Sequence, residues 1–407
     1  MKLWRDIRHI PKDLKSLPPS IKRFSLISFI YYLSWGTLDP FLPIYFKDVL
    51  GNYTDTALVI GLLYIFAIFW SVPLGALADR FSKKALIGFF FWLYLPLGPI
   101  LSGLTRVWHF TIFRVYHSFL ATGLWTSGEA YVRFHSAEKE RYQEAIGFSD
   151  AALGLASVFG AILGGILVSF YNIRLLFFLM PVFVLLALLF NRKLPDHSGS
   201  GSLKLSLRKI FRQGIFSHGL RDFWKNRPLV SLTFLSSLFA FATSEKLVVL
   251  ALFADSLGAK PIQLGLIFAL FNLPILFEAP FSVFARKYSD KKILVFSSFL
   301  TIFVLIWLFF LKDIWLLVLA SFLLGVLVSF AAPILEGDKT RLMPLAKVGE
   351  LNGVTRGFTI LGGGLGILII LPLADKFGIA FPFLISAFLM ALFLILIPFL
   401  WRKIDLE

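Results

Sequence analysis

The chain has 407 residues, 58% of them hydrophobic and 17% aromatic, with 47 Phe and a mean hydropathy of +0.81. That composition excludes an ordinary soluble domain, and the absence of cysteine excludes disulfides, thiol catalysis and thiolate metal sites. The net charge of +16 would suit nucleic acid if the basic residues clustered on one domain, so their placement decides; the six His show no metal-ligand spacing.

In chain order, residues 1–23 carry seven Lys or Arg and no small-residue cleavage site behind a short apolar core, so a retained cytoplasmic tail is expected. A bilayer core of roughly 30 Å needs about 20 apolar residues per helical pass. Six such runs follow, near 24–46, 56–78, 85–105, 108–133, 143–170 and 174–190, forming an N-terminal bundle over 24–190. Residues 191–228 read as a cytoplasmic linker. It opens with the flexible stretch "RKLPDHSGSGS". Leu203, Leu207, Ile210, Phe211, Ile215, Leu220, Phe223 and Trp224 then recur at helical spacing, with Lys204, Arg208, Lys209 and Arg212 on other faces. The pattern predicts an amphipathic helix on the inner leaflet; the alternative is a basic linker that only satisfies topology. Six further runs, near 229–254, 262–285, 292–311, 313–335, 350–374 and 378–400, form a C-terminal bundle over 229–400, and 401–407 is a second cytoplasmic tail. The expected fold is an all-α membrane protein with twelve transmembrane helices in two pseudo-symmetric six-helix bundles.

Lys and Arg concentrate in the tails and in the loops on one side, while the opposite loops hold Lys47, Arg106, Arg174, Lys260, Lys312 and Lys376. The positive-inside rule therefore places both termini in the cytoplasm, and the basic charge is topology rather than nucleic-acid binding. Arg114, Lys246 and Arg356 remain inside predicted passes.

The halves repeat. "PLGALADRFSKK" from Pro73 runs beside "PFSVFARKYSDK" from Pro280 at an offset of 207, "FKDVLG" from Phe46 beside "FADSLG" from Phe253, and Glu129 beside Glu336. On these residues the sequence resembles the major facilitator superfamily over nearly its whole length. "GALADRFSKK", from Gly75 through Asp79, Arg80 and Lys83, is similar to that family's signature between passes 2 and 3, with Ser82 where Gly is usual. "GAILGG", with Gly160, Gly164 and Gly165, resembles the antiporter motif of pass 5, with Ala161 in place of Pro. "GTLDPFLPIYFKDVLG" resembles the first pass of twelve-span drug:proton antiporters. The resemblance implies a cytoplasmic gate in which Asp79 meets the start of pass 11 and Lys83 meets Glu129 when that side is shut. Because Arg286 stands at the repeat position of Asp79, with Asp150 and Arg356 at the starts of passes 5 and 11, two cross-half pairs are expected: Asp79 with Arg356, and Arg286 with Asp150. Glu336 belongs to the same gate by the repeat.

Ionisable residues deep in a pass are costly and usually line a cavity or pair with one another. Counting about 1.5 Å per residue places Asp39, Arg114, Glu245 and Lys246 in one layer of the outer half, with His117 one turn along from Arg114. The expected roles are Asp39 as proton site, Arg114 as its partner, His117 as relay or substrate contact, and Glu245 and Lys246 in substrate recognition. The alternative is a set of structural ion pairs holding an outer gate. Glu278, near the inner end of pass 8, reads as structural or gating. Tyr31, Tyr32, Trp35 and Trp125 are the aromatic candidates for the cavity wall.

No nucleotide loop, zinc-protease motif or nucleophile elbow is present, so no enzyme activity and no cofactor are expected. The expected function is alternating-access transport of a small amphipathic molecule, exported in exchange for protons, by a monomer in the cell membrane. Proton-coupled uptake or facilitated diffusion of a polar metabolite, a lipid or lipid-linked sugar flippase, and a non-transporting scaffold are the alternatives.

Overall fold

Lipid offers no hydrogen bonds, so each backbone N–H and C=O in a membrane-crossing run must be paired within the protein, and helices meet that demand segment by segment. The computed structural model describes residues 17–136, 142–195, 215–243, 246–277, 289–344 and 348–401, without the side chains of residues 72, 76, 79, 80, 142–144, 215–219, 246, 247 and 348–350. Glu245, Glu278 and Arg286 lie outside the described residues.

The first half contains α1 (Pro19–Leu38), α2 (Leu42–Leu50), α3 (Tyr53–Arg80), α4 (Lys83–Tyr94), α5 (Leu97–Ser102), α6 (Val107–His135), α7 (Tyr142–Phe170) and α8 (Arg174–Asn191). After α9 (Ile215–Lys225), the second half contains α10 (Arg227–Thr243), α11 (Lys246–Ser256), α12 (Pro261–Asn272) with a 3₁₀ turn over Leu273–Phe277, α13 (Asp290–Phe310), α14 (Ile314–Arg341), α15 (Val348–Ile370), α16 (Leu373–Phe377) and α17 (Phe381–Trp401). The helices α1–α2, α4–α5 and α15–α16 are each one interrupted pass and α10 and α11 belong to one pass, so the chain makes twelve passes and returns to the end at which it began. We call that end terminal and the opposite one distal. Nine described segments are long and apolar enough to cross a membrane; the first pass, α6 and α12 fall outside that set. Phe170 and Phe310, 79% and 70% exposed, are the default lipid-facing aromatics.

Caps explain several boundaries. Gly51, at φ 85, ends α2 in the left-handed region, and the Asn52 side chain then accepts from Asp55 N at 2.6 Å to start α3. Ser82, where the family signature has Gly, accepts from Ala85 N at 3.1 Å and starts α4. Lys84 donates to the Arg192 carbonyl at 3.0 Å and Arg23 to the Lys193 carbonyl at 3.2 Å, so two basic side chains neutralise the carbonyl end of α8.

Two departures from the sequence expectation matter. The first pass is not one helix over 24–46. Pro40 has no N–H to give the Gly36 carbonyl, so α1 stops at Leu38 and α2 restarts at Leu42. In the linker, Leu203, Leu207, Ile210 and Phe211 lie outside the described residues, and the described part of the expected helix is Ile215–Lys225. Its Phe223 is buried and stacks on Phe358 of α15 with centroids 5.3 Å apart, so this face covers protein rather than lipid, while Trp224 is 56% exposed.

The repeat is visible in packing. Ser118 of α6 donates to the Leu63 carbonyl of α3 at 2.9 Å, and Ser321 of α14 to the Ile267 carbonyl of α12 at 3.4 Å. Between the halves, contact is tight at the distal end. A Cβ on Gly265 would lie 2.4 Å from the Ala161 carbonyl oxygen, and one on Gly61 would lie 2.6 Å from Leu368. Towards the terminal end, Cβ atoms on Gly75, Gly147, Gly353 or Gly357 would meet nothing within 4 Å. Among the described residues, the protein is closed distally and open at the terminal end.

Candidate functional site

A cavity of about 420 Å³ runs between the halves, lined mainly by α1, α3, α4, α6 and α7, with Val248 and Phe268 from the second half. Tyr31, Tyr32, Trp35, Asp39, Arg114, His117, Trp125, Glu129 and Asp150 all line it. Tyr64 and Tyr94 also line it, and nothing in their sequence context marks them among the many aromatics.

Asp39 owes its position to the broken first pass. Its backbone N–H closes the last turn of α1 on the Trp35 carbonyl at 2.8 Å, and its carboxylate faces the cavity without a hydrogen bond or ion pair among the described residues. Arg114 does not pair with it. The guanidinium, 2% exposed, donates through Nη1 to His117 Nδ1 at 3.0 Å and sits 4.9 Å from the Phe46 ring centroid, leaving Nε unpartnered. A guanidinium can only donate, so Nδ1 accepts and the imidazole proton resides on Nε2. Arg114 is therefore hydrogen-bonded to His117, one turn along on the same face, while its charge acts on Asp39 through space rather than through a bond. His117 lies parallel to Trp35, centroids 4.6 Å apart and planes 3° apart, and Trp35 Nε1 donates to the Tyr31 hydroxyl at 3.0 Å.

Nearer the terminal end, Arg356 Nη1 donates to Glu129 Oε1 at 2.7 Å and its guanidinium lies 4.4 Å from the Trp125 ring centroid, where Trp125 Nε1 is buried without a partner. Glu129 thus pairs with Arg356, while the Lys83 ammonium lies 5.4 Å from the Phe134 ring centroid. The contacts expected of Lys83 and Asp79 belong to a shut gate. Asp79 and Arg80 end α3, with side chains outside the description. Asp150 faces the cavity with no bonded partner among the described residues, and its expected partner Arg286 is not described. Glu336 accepts from the buried Lys339 at 2.6 Å, and Lys339 also donates to the Thr359 hydroxyl at 3.2 Å. Lys246 begins α11, its side chain outside the description.

The glycines of the pass-5 motif are spacers. A Cβ on Gly164 would lie 2.3 Å from the Thr37 carbonyl oxygen, one on Gly160 2.7 Å from the Gly36 Cα, and one on Gly165 2.9 Å from the Pro261 carbonyl oxygen. Gly160 and Gly164 press α7 onto α1, and Gly165 presses it onto the other half. Chemically, the cavity combines aromatic walls, two carboxylates without bonded partners among the described residues, and two guanidinium groups, Arg114 hydrogen-bonded to an imidazole and Arg356 paired with Glu129.

A sequence profile of the Major Facilitator Superfamily matches residues 24–249 and 236–406. The chain is similar to an uncharacterized MFS-type transporter of Methanocaldococcus jannaschii, 25% identical over 252 residues covering 61% of this chain and 63% of that protein. It is 37% identical to a raffinose permease of Escherichia coli over 87 residues, 18% of this chain and 20% of that one. A melibiose permease of Enterobacter cloacae is 29% identical over 160 residues, 36% and 37% of the two chains. The chain spans less than two thirds of the length of each of these relatives. Among solved structures, the nucleoside transporter NupG superposes with a TM-score of 0.75 at 14% identity, covering 95% of this chain and 100% of that one. The POT family transporter PepTSo superposes at 0.74 and 14%, covering 96% and 99%. At these identities the likeness is one of fold.

Proposed function

The chain belongs to the Major Facilitator Superfamily, and from that premise we propose that it is a proton-coupled exporter of a small amphipathic molecule, working by alternating access in the cell membrane with both termini cytoplasmic. The observation that carries the reading is the unpaired Asp39 carboxylate facing an aromatic cavity closed distally and open at the terminal end.

An ionised carboxylate is costly so deep in a membrane protein unless something neutralises it. Asp39 has no bonded partner among the described residues, so it is free to take either a proton or the positive group of a cargo, with the Arg114 charge close by to set the balance. In exchange, cargo enters from the terminal end and displaces the proton from Asp39 to water on that side; after the halves rock, a proton from the distal side displaces the cargo. The carboxylate carries one of the two at each crossing, which couples the flows. Trp35, Tyr31, Tyr32 and Trp125 supply the apolar wall. A monomer suffices for this cycle, with lipid around it.

A second reading, proton-coupled uptake of a polar metabolite, is favoured by the similarity to the raffinose and melibiose permeases. The test is proton release or uptake by purified, detergent-solubilised protein on adding cationic amphiphiles, wild type against Asp39→Asn. Proton release abolished by the substitution supports exchange at Asp39. Binding without any proton signal in either protein rejects it, and proton uptake together with a sugar or nucleoside moves the assignment to the second reading.

A further inference from the structure

We infer that Asp375 is a gating residue for transport: it locks the distal end shut by completing the N-terminal cap of α3 from the opposite half of the molecule. The inference rests on the alternating-access reading above.

Two observations carry it. The first is geometric. Asn52, the residue before α3, caps Asp55 N, the third N–H of that helix. The N–H groups of Tyr53 and Thr54 are left without intrahelical acceptors, as at every helix start. Asp375 supplies both: Oδ1 accepts from Tyr53 N at 2.8 Å, and Oδ2 accepts from Thr54 N at 2.8 Å and from the Thr54 hydroxyl at 2.6 Å. A carboxylate here also meets the positive end of a 28-residue helix. Capping of α3 is therefore divided, one acceptor from its own half and two from the other, and it is complete only when the halves meet distally.

The second is a match in sequence. Leu373-Ala374-Asp375-Lys376-Phe377 repeats the pattern Leu77-Ala78-Asp79-Arg80-Phe81 of the loop signature. Both stretches end a pass, and the two passes are neighbours running in opposite directions: α3 from distal to terminal, α15 and α16 from terminal to distal. Gly61 and Leu368 show how closely they approach on the distal side, and the empty surroundings of Gly75, Gly353 and Gly357 show how far they part on the other. Each pass thus carries an acid at its far end. In this structure the distal acid is engaged at the start of its neighbour. Opening the distal end strips Tyr53 and Thr54 of their acceptors.

The absence of cysteine allows a direct test. Ile60→Cys reports access to the distal part of the cavity and Ile146→Cys access to the terminal part; maleimide labelling rates are measured on purified protein in detergent. Asp375→Asn is expected to raise labelling at position 60 roughly tenfold and to lower it at position 146, since charge-assisted hydrogen bonds each shift an equilibrium by about that factor. Thr54→Val, which removes one of these bonds and keeps the side-chain volume, is expected to shift both rates in the same directions by up to about tenfold, and it decides the matter where Asp375→Asn does not fold. Unchanged rates in both variants overturn the lock. Cationic amphiphiles and pH are then applied to the protein with Asp375 intact: opposite shifts at the two positions, with no effect of Asp375→Asn or Thr54→Val, reject the lock alone, whereas fixed rates under every condition reject alternating access as well.

Discussion

Arg356 reaches across the cavity from α15 to hold Glu129 of α6, Nη1 to Oε1 at 2.7 Å, with both side chains one-third exposed. The pair joins the two halves at a level where their backbones have parted, so it limits how far the terminal end opens. An ion pair of this exposure contributes only about 1 kcal/mol, and the Trp125 ring beneath the guanidinium adds roughly 0.5–1 kcal/mol. Arg356→Gln is therefore expected to slow transport about five- to tenfold with little loss of thermal stability. The double exchange Glu129→Arg with Arg356→Glu restores part of the rate, and a double-mutant cycle on transport rates measures the coupling. No recovery in the exchanged protein would show that the two side chains act independently.

Glycines separate stability from movement. Gly164→Ala places a methyl 2.3 Å from the Thr37 carbonyl oxygen, and neither backbone can retreat without parting α1 from α7. Overpacking of this kind costs about 1–3 kcal/mol, so the unfolding temperature should fall by several degrees. Gly357→Ala meets open space and gains roughly 0.5–1 kcal/mol of helix propensity, so its unfolding temperature should hold or rise. Transport by Gly357→Ala should nonetheless slow, because closure of the terminal end needs the space that the methyl takes. A thermal melt and a transport assay on the two variants check both halves of the contrast.

The twelve passes were legible because apolar runs of about 20 residues separated by polar breaks leave a chain in lipid few alternatives. Asp39, Arg114 and His117 were legible as one group because helical rise and periodicity place them at one depth. Their pairing was not. Pro40 was visible, but its consequence, a break that leaves Asp39 at the end of α1 without a bonded partner, depends on how α2 resumes. Likewise Glu129 and Arg356 were both recognisable as gate residues, yet their partners depend on which end of the protein is open. The halves' amino acids are the same in both states. The match between "LADRF" and "LADKF" could have been found by comparing the ends of antiparallel neighbours, a search that a repeat at one fixed offset does not make.

The last prediction concerns what holds Arg114. It is 2% exposed, its Nε has no partner, and the His117 ring nitrogen is its one hydrogen-bonded acceptor among the described residues. His117→Phe keeps the stack on Trp35 and removes that acceptor, leaving a buried cation uncompensated. The expected cost is about 2–3 kcal/mol of stability. His117→Gln, whose amide oxygen can accept from the same guanidinium nitrogen, should recover most of it. Trp35→Ala makes the opposite cut, preserving Arg114–His117 and removing the indole face, and the loss of stacking should weaken binding of an aromatic cargo about tenfold. The freed guanidinium of His117→Phe then has Asp39 as the nearest unspent acid along the cavity wall, and pairing there would occupy the site proposed for protons and cargo. His117→Phe should accordingly lose proton exchange as well as stability, while His117→Gln retains both. Thermal unfolding and proton release measured side by side distinguish this from simple damage: equal stability losses in the Phe and Gln variants would show that His117 fills space rather than anchoring Arg114.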